Sequence, residues 1–355
     1  MPGQVHVVGA RPNFIKAAPV VSALQAMGSS PMLVHTGQHY EPALSEVFFQ
    51  QLGLPEPDKN LGVGSGSHAQ QTAALIVALE NLLLDVQPER VVVYGDVNST
   101  LAAALVASKL HVPVAHVEAG LRSFDRSMPE EINRVVTDVL SDVHFTTSPE
   151  AAEHLANEGI SPQGVHFVGN SMIDTLVRFR DSLDVESARR RFQLNEDYAV
   201  ATLHRPSNVD DPGTAADLVN ALAMISGEIP ILLPLHPRGR ANMETAGLMD
   251  LPAVNVCDPL GYLDFMALMS AARLVLTDSG GIQEETTVLG IPCLTLRDNT
   301  ERPITVTMGT NRIVGRDPDF IFKSAVEVLQ DPPEGRIPPL WDGSAGSRIA
   351  EILQR

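Results

Sequence analysis

The 355-residue chain is poor in several residue types, and each shortage excludes something. It holds two cysteines, Cys257 and Cys293, too few for a disulfide framework or a thiolate metal site. Each sits in or beside an apolar, strand-like run, so both are expected to be core thiols. Cations are outnumbered: 25 Lys and Arg face 43 Asp and Glu, a formal net charge of −18. That balance speaks against a nucleic-acid surface or an anionic membrane as partner, and any anionic ligand must be held by local cations. No apolar stretch approaches the length of a membrane span, and Met1-Pro-Gly-Gln-Val-His has no basic segment leading into a long apolar run. A cytoplasmic protein is expected. Low-complexity segments and short-period repeats are missing. So are a His-Glu-x-x-His pair, a Gly-x-Ser-x-Gly elbow, a Walker loop and a complete Gly-x-Gly-x-x-Gly fingerprint. His35 and His39 lie four apart but straddle a strand-to-loop junction at Thr36-Gly37, so no catalytic metal is expected.

What is present is an alternation of short β-branched runs with longer helical patterns, the signature of βα units and a parallel sheet. The class is α/β. Strands are expected at residues 5–8, 32–35, 90–94, 112–117, 143–146 and 165–168, with helical spacing over 13–27 and 67–84. A second set follows at 198–203, 231–235, 254–257, 274–277, 291–296 and 312–314. The length exceeds what one core usually serves, and the polar stretch 178–197, with Arg189-Arg-Arg191, puts the change of domain near residue 175. Two Rossmann-like, doubly wound domains are expected, 1–175 and 176–344, facing a central cleft. The short amphipathic pattern near the end reads as a final helix within 345–355, packed back on the first domain.

In open parallel sheets ligands sit outside the carboxyl ends of the strands, and here those positions carry chemistry. The first strand is followed by Gly9-Ala-Arg-Pro-Asn-Phe-Ile-Lys16, the third by Gly95-Asp96, the fourth by Glu118-Ala-Gly-Leu-Arg122. In the second half come His204-Arg-Pro-Ser-Asn208, His236-Pro-Arg238 and Thr277-Asp-Ser-Gly-Gly-Ile-Gln-Glu-Glu285. The last runs an apolar strand into two glycines and a helix, leaving helix N–H groups open to an anion with no Cβ in the way. Ser279, Gly280 and Gly281 thus read as a phosphate seat, with Glu284 or Glu285 one turn on as acceptor for a ribose diol. Arg11, Lys16, Arg205 and Arg302 can supply the positive charge a diphosphate needs.

Asp96 and Glu118 end apolar strands, where partial desolvation raises a carboxyl toward neutrality and suits it to proton transfer. Asp96 also fits the cap of a helix starting near Asn98, and the two roles are compatible. In Met128-Pro-Glu-Glu-Ile-Asn-Arg134, the i,i+4 spacing puts Glu130 and Arg134 on one helix face. Two readings stand: a structural ion pair, or an arginine holding a catalytic carboxylate. His204, beside Arg205, can donate a hydrogen bond or a proton to a leaving phosphate.

Taken in order, these segments, with Thr36-Gly-Gln-His39, Gly169-Asn170 and Thr300-Glu-Arg-Pro303, resemble the non-hydrolysing UDP-N-acetylglucosamine 2-epimerases over nearly the whole chain. The resemblance implies a GT-B-like pair of Rossmann-type domains, a homodimer, no cofactor, and interconversion of UDP-GlcNAc and UDP-ManNAc by anti elimination of UDP and re-addition through 2-acetamidoglucal. Carried over by position, it implies Asp96, Glu118 and Glu130 as acid/base candidates, Arg134 as their partner, and His204 as stabiliser of the departing diphosphate. Arg11, Lys16, Arg205, Ser279, Gly280, Gly281 and Glu285 would hold the UDP, with Phe265 near the uracil and Arg302 near the substrate. It also implies an activator subsite around Gln38 and His39. Asn13 and Ser207 stand where the family often has Glu, and Gly62-Val-Gly-Ser-Gly-Ser-His68 departs from its pattern.

Overall fold

Strands form where β-branched residues run together. The described residues of this computed structural model are 3–37, 52–195 and 197–355. Seven strands build the first sheet: β1 (Gln4–Val8), β2 (Met32–His35), β3 (Lys59–Asn60), β4 (Arg90–Tyr94), β5 (Val114–Ala119), β6 (Val143–Thr146) and β7 (Val165–Phe167). Six build the second: β8 (Ala199–Thr202), β9 (Ile231–Pro234), β10 (Val254–Cys257), β11 (Leu274–Thr277), β12 (Cys293–Thr295) and β13 (Asn311–Ile313). The orders are β3-β2-β1-β4-β5-β6-β7 and β10-β9-β8-β11-β12-β13. Every pairing is parallel. In each sheet the order reverses beside the first strand, between β1 and β4 and between β8 and β11. That is the Rossmann-like, doubly wound arrangement, with its ligand crevice at the reversal. The fold class expected from the alternating runs is the one found.

The chain divides into two compact units. One is the N-terminal part up to Arg178 together with Pro339–Arg355, the other Phe179–Pro338. In the first, Val5, Val7, Val34, Val91 and Val93 pack under Leu75, Leu79 and Ala103 of the flanking helices. Strands buried on both faces read as continuous apolar runs, which is why β4 and β11 show no alternation. The second unit has its own core around Leu218, Leu222, Leu233 and Leu276. Among the described residues no helix is long and apolar enough to cross a membrane.

Several expectations need correction. The two-residue β3 is a fully exposed edge and carries no apolar signal. The strand expected at 112–117 begins later and runs two residues further, through Glu118, for a reason given below. Cys293 is buried, but Cys257 is only half-buried, because β10 is an edge strand.

The returning segment is tied in at several points. Backbone N–H groups of Ala345 and Gly346 donate to Asp174 at 3.1 and 2.6 Å. Trp341, fully buried, donates to the Thr147 carbonyl at 2.8 Å. Gly346 lies so close to Pro19 that a Cβ would sit 2.7 Å from its backbone. The helix Ala345–Leu353 therefore braces the helix Arg11–Ala26, which carries Arg11 and Lys16.

Gly120 has φ +79°, and a Cβ there would lie 2.3 Å from the Ala151 carbonyl oxygen. Gly120→Ala combines left-handed strain with overpacking and is expected to cost about 3 kcal/mol, read from the urea midpoint. An unchanged midpoint would show that the loop relaxes freely.

Candidate active site

In the first unit the site is built where β1, β4 and β5 end. Asn13, in the first turn of the helix Arg11–Ala26, accepts from the N–H groups of Gly9 and Ala10, both at 3.1 Å, and donates to the Tyr94 carbonyl at 2.8 Å. One amide joins the ends of β1 and β4 while leading the chain into Arg11. A glutamate, the usual residue of the resembled family, has no proton to give Tyr94 when ionised. Arg11 itself is half-buried.

Lys16 and Glu118 are buried and meet at 2.6 Å. Gly95, at φ +61°, leaves them room: a Cβ there would stand 3.0 Å from Lys16 Nζ and 3.6 Å from Glu118 Oε1. Glu118 is an extra residue in β5. Val117 pairs with Phe145 and Ala119 with Thr146, so Glu118 is bulged out of register, with φ +74°. A bulge re-aims a side chain, and a left-handed non-glycine costs on the order of 1–3 kcal/mol. That cost is borne where a carboxylate is presented.

A charged layer lies beneath the bulge. Asp138, fully buried, receives His116 Nδ1 at 2.7 Å, Arg122 at 2.7 Å and the Gly120 N–H at 3.1 Å. Burial alone would raise its carboxyl, but His116 and Arg122 hold it below the ordinary range. His116 Nε2 meets the Gly95 carbonyl at 2.8 Å, so one imidazole links the bulged strand to the loop carrying Asp96.

Asp96 does not cap the helix Asn98–Lys109, whose N-cap is Val97 with no side-chain cap. It pairs with Arg134, which also grips Glu131. The expected Glu130–Arg134 pair is thus replaced by an i,i+3 pair. Glu131 is drawn inward because it also accepts from Ser123 N, Ser123 Oγ and Phe124 N at 2.8 to 3.0 Å. Glu130 stays half-buried and makes no hydrogen bond or ion pair among the described residues.

The second unit's set gathers at its own reversal point. The β8/β11 pairing brings Thr202 beside Thr277, and each strand continues into chemistry. Asp278, fully buried, accepts from the N–H groups of His204 and Arg205 at 3.0 and 2.9 Å and from Asn208 at 3.1 Å. Its other oxygen meets His204 Nδ1 at 2.7 Å, while the His204 side chain stays 46% exposed. Burial pushes the Asp278 carboxyl up, but the imidazole and these backbone donors bring it down to about 2.

Ser279 donates its own N–H to Thr277 Oγ1 at 3.0 Å and begins the helix Gly280–Leu289 without a side-chain cap, so its hydroxyl does not take up the first-turn N–H groups of that helix. Ser279 and Gly281 are half-buried and Gly280 is buried. A Cβ on Gly280 would lie 2.4 Å from both Arg302 Nη1 and Glu301 Oε1, so this glycine gives close packing below the seat. Arg302 itself is buried, bonded to Glu284 at 2.9 Å and to Glu301. Arg297 and Arg205 also reach Glu301, at 2.7 and 3.5 Å, and Arg205 Nε donates to the Asp278 carbonyl at 2.9 Å. Glu285 is held by the Tyr262 hydroxyl at 3.1 Å. Burial pushes it up to about 8, against the pull of that hydrogen bond and with Glu284 adding to the rise. Phe265 is half-buried against Leu232, Leu260 and Leu268.

The structure thus brings Lys16, Asp96, Glu118 and Arg134 together in one unit, and His204, Arg205, Ser279, Gly280, Gly281, Glu285 and Arg302 in the other. Gln38 and His39 lie outside the described residues. Sequence reasoning missed Asp278, Asn208, Glu131, Tyr262 and Glu301. Asp278 stood in plain view before Ser279, but an acid after a strand reads first as a helix cap.

The family described as UDP-N-acetylglucosamine 2-epimerase matches residues 22–354. A UDP-N-acetylglucosamine 2-epimerase of Methanocaldococcus jannaschii is 42% identical, over 98% of this chain and 97% of its own. A UDP-2,3-diacetamido-2,3-dideoxy-D-glucuronate 2-epimerase of Pseudomonas aeruginosa is 44% identical, over 98% of each. Among solved structures, the M. jannaschii UDP-GlcNAc 2-epimerase in complex with UDP-GlcNAc and UDP superposes with a TM-score of 0.92 at 40% identity, covering 99% of both chains. The Neisseria meningitidis UDP-GlcNAc 2-epimerase bound to UDP-GlcNAc gives 0.90 at 30% identity, again over 99% of both. These likenesses carry the GT-B-like fold class with them.

Glu285 gives a pH prediction. Its ordinary value is 4.5 and it is pushed up to about 8, so the stability it contributes is full below 4.5 and lost as pH rises through 8. Glu285→Gln removes that titration. By scanning calorimetry the variant should match the parent near pH 4.5 and melt several degrees higher at pH 8.5; a gap independent of pH would contradict this origin.

Proposed function

The chain belongs to the UDP-N-acetylglucosamine 2-epimerase family, and we propose that it reversibly interconverts UDP-N-acetylglucosamine and UDP-N-acetylmannosamine without net hydrolysis. A relative carrying the first sugar's name at 42% identity and a neighbour bound to UDP-GlcNAc and UDP support this substrate class. The single observation that carries the chemistry is Glu118, a buried carboxylate on a strained bulge with a lysine 2.6 Å away.

The C2 proton of the sugar is not acidic, so the electrons released when it is removed must have somewhere to go. In the proposed reaction a carboxylate takes that proton while the C1–O bond breaks, and the electron pair leaves on the diphosphate of UDP. The intermediate is 2-acetamidoglucal. Return of a proton to the opposite face of C2 and re-addition of UDP at C1 give the epimer. Asp96, Glu118 and Glu130 are the acid/base groups, and Arg134 holds Asp96 in place. Lys16 counters Glu118 before substrate binds. Arg11, Arg205 and His204 meet the developing charge on the diphosphate, and the helix start supplies N–H donors from Gly280 and Gly281 and the hydroxyl of Ser279 to it. Glu285 accepts from the ribose, Phe265 lies by the uracil, and Arg302 acts through the Glu284–Glu301 lattice beneath the seat. No cofactor enters.

We also propose a homodimer. Val77 and Leu84 on the helix His68–Val86, and Ile132 and Val139 on the helix Pro129–Leu140, leave large apolar side chains 47 to 64% exposed, the kind of surface a second copy covers. A second sugar has one observation in its favour, the 44% identity to the diacetamidoglucuronate enzyme.

Proton NMR in heavy water tests the reaction. With UDP-GlcNAc, UDP-ManNAc should appear with deuterium at C2 while the sum of UDP-sugars stays constant. Steady release of free N-acetylmannosamine and UDP would replace this reading by a hydrolysing enzyme, and turnover only of UDP-2,3-diacetamido-2,3-dideoxy-D-glucuronate would replace the sugar. Glu118→Gln should lower the exchange rate at least about a hundredfold, within the range of a lost general acid–base group, with UDP affinity by calorimetry changed less than about threefold. Survival of activity in that variant removes Glu118 from the chemistry.

A further inference from the structure

The His204 imidazole is the one proposed ligand-facing group of the second unit whose ring sits against a fully buried carboxylate. Its Nδ1 lies 2.7 Å from Asp278 Oδ1, and nearly half of the side chain is open to solvent. We infer that Asp278 is the positioning residue of His204: it keeps a proton on Nδ1, fixes the ring plane, and supports positive charge on the ring, so that Nε2–H is the atom offered to the departing diphosphate. This rests on the reading of His204 given above and deepens it.

The case is one of donors and acceptors. Oδ2 of Asp278 is occupied by the N–H groups of His204 and Arg205 and by Asn208 Nδ2. Oδ1 takes the ring at 2.7 Å beside a longer, 3.3 Å contact from the His204 N–H, and a carboxylate oxygen only accepts, so Nδ1 must donate. Asn208 also donates to the Leu296 carbonyl at 3.0 Å, which ties the carboxylate's surroundings to the residue just after the strand β12. The carboxylate has no freedom to turn. The ring plane is therefore set by the protein before any ligand arrives, and its Nδ1 side is turned to the carboxylate and away from solvent. In the elimination, the electron pair of the broken C1–O bond settles on a diphosphate oxygen. An imidazolium Nε2–H bonded to that oxygen strengthens as the charge develops, and the Asp278 carboxylate balances the ring throughout. No proton need reach Asp278. A hydrogen-bonding carboxylate behind a histidine, orienting it without being protonated, is a known arrangement in unrelated hydrolases.

An asparagine at 278 would keep an oxygen for the three N–H donors and turn its amide nitrogen toward the ring. Nδ1 then accepts, the proton moves to Nε2, and a second proton is opposed. In Asp278→Asn, kcat for UDP-GlcNAc should fall about tenfold to a hundredfold, the worth of one charge-assisted hydrogen bond, with KM within about threefold. Nitrogen-15 NMR of the full-length protein should show the His204 ring protonated at Nδ1 in the parent and at Nε2 alone in the variant. Because the variant can also weaken the fold, the same substitution is made in a His204→Gln background. If Asp278 acts through the ring, it costs little further rate there. An equal loss in both backgrounds, or an unchanged ring tautomer, makes Asp278 merely structural and overturns the inference. If His204→Gln alone keeps full kcat, the reading of His204 falls and takes this inference with it. If His204→Gln is slow while Asp278→Asn is not, only the inference fails.

Discussion

A carboxylate withdrawn from water keeps its charge only beside a donor or a cation, and both units of this chain are organised around that need. With a net charge of −18, cations are too few to be spread at random. Several of them meet acids at the strand ends: Lys16 pairs with Glu118, Arg134 with Asp96 and Glu131, Arg122 and His116 with Asp138, Arg302 with Glu284 and Glu301, and Arg297 with Glu301. Each pair sits at or just under the carboxyl end of a strand. The acids that end strands are thereby held at fixed positions. Glu285 is the exception. Its partner is a hydroxyl, and it is pushed up to about 8.

At the β5 bulge, strained backbone serves the same end. The β5 bulge turns Glu118 out of the ladder, and the glycines on either side clear the space it needs. Gly95 makes way for Lys16 and the carboxylate; Gly120 lets the chain pass under Ala151. Asp138 binds the Gly120 N–H from below and, through His116, the Gly95 carbonyl, so the two left-handed glycines are locked to one buried acid.

Much of this could be read from the sequence. Runs such as Arg90–Tyr94 and Leu274–Thr277 are buried on both faces and therefore announce themselves by composition alone, and the strand ends then point to Asp96, Glu118, His204 and Ser279. What stayed hidden had physical reasons. Glu130 and Glu131 are adjacent and chemically alike; only the inward loop at Ser123 and Phe124 decides which of them Arg134 takes. A bulge leaves no compositional trace, so Glu118 read as the residue after a strand and not as one within it. Asp278 and Tyr262 act on partners 74 and 23 residues away in the chain, a pairing that local pattern cannot supply.

The return of the last segment to the first unit bears on the order in which the molecule is made. Pro339–Arg355 belongs with the N-terminal sheet, yet the ribosome completes all of Phe179–Pro338 before it. Until then the helix Arg11–Ala26 lacks the brace that Gly346 and Trp341 help to seat. The residues of the second unit are contiguous, while the first is completed only by Pro339–Arg355. Of the two units, it is the first that most needs shelter in the growing chain.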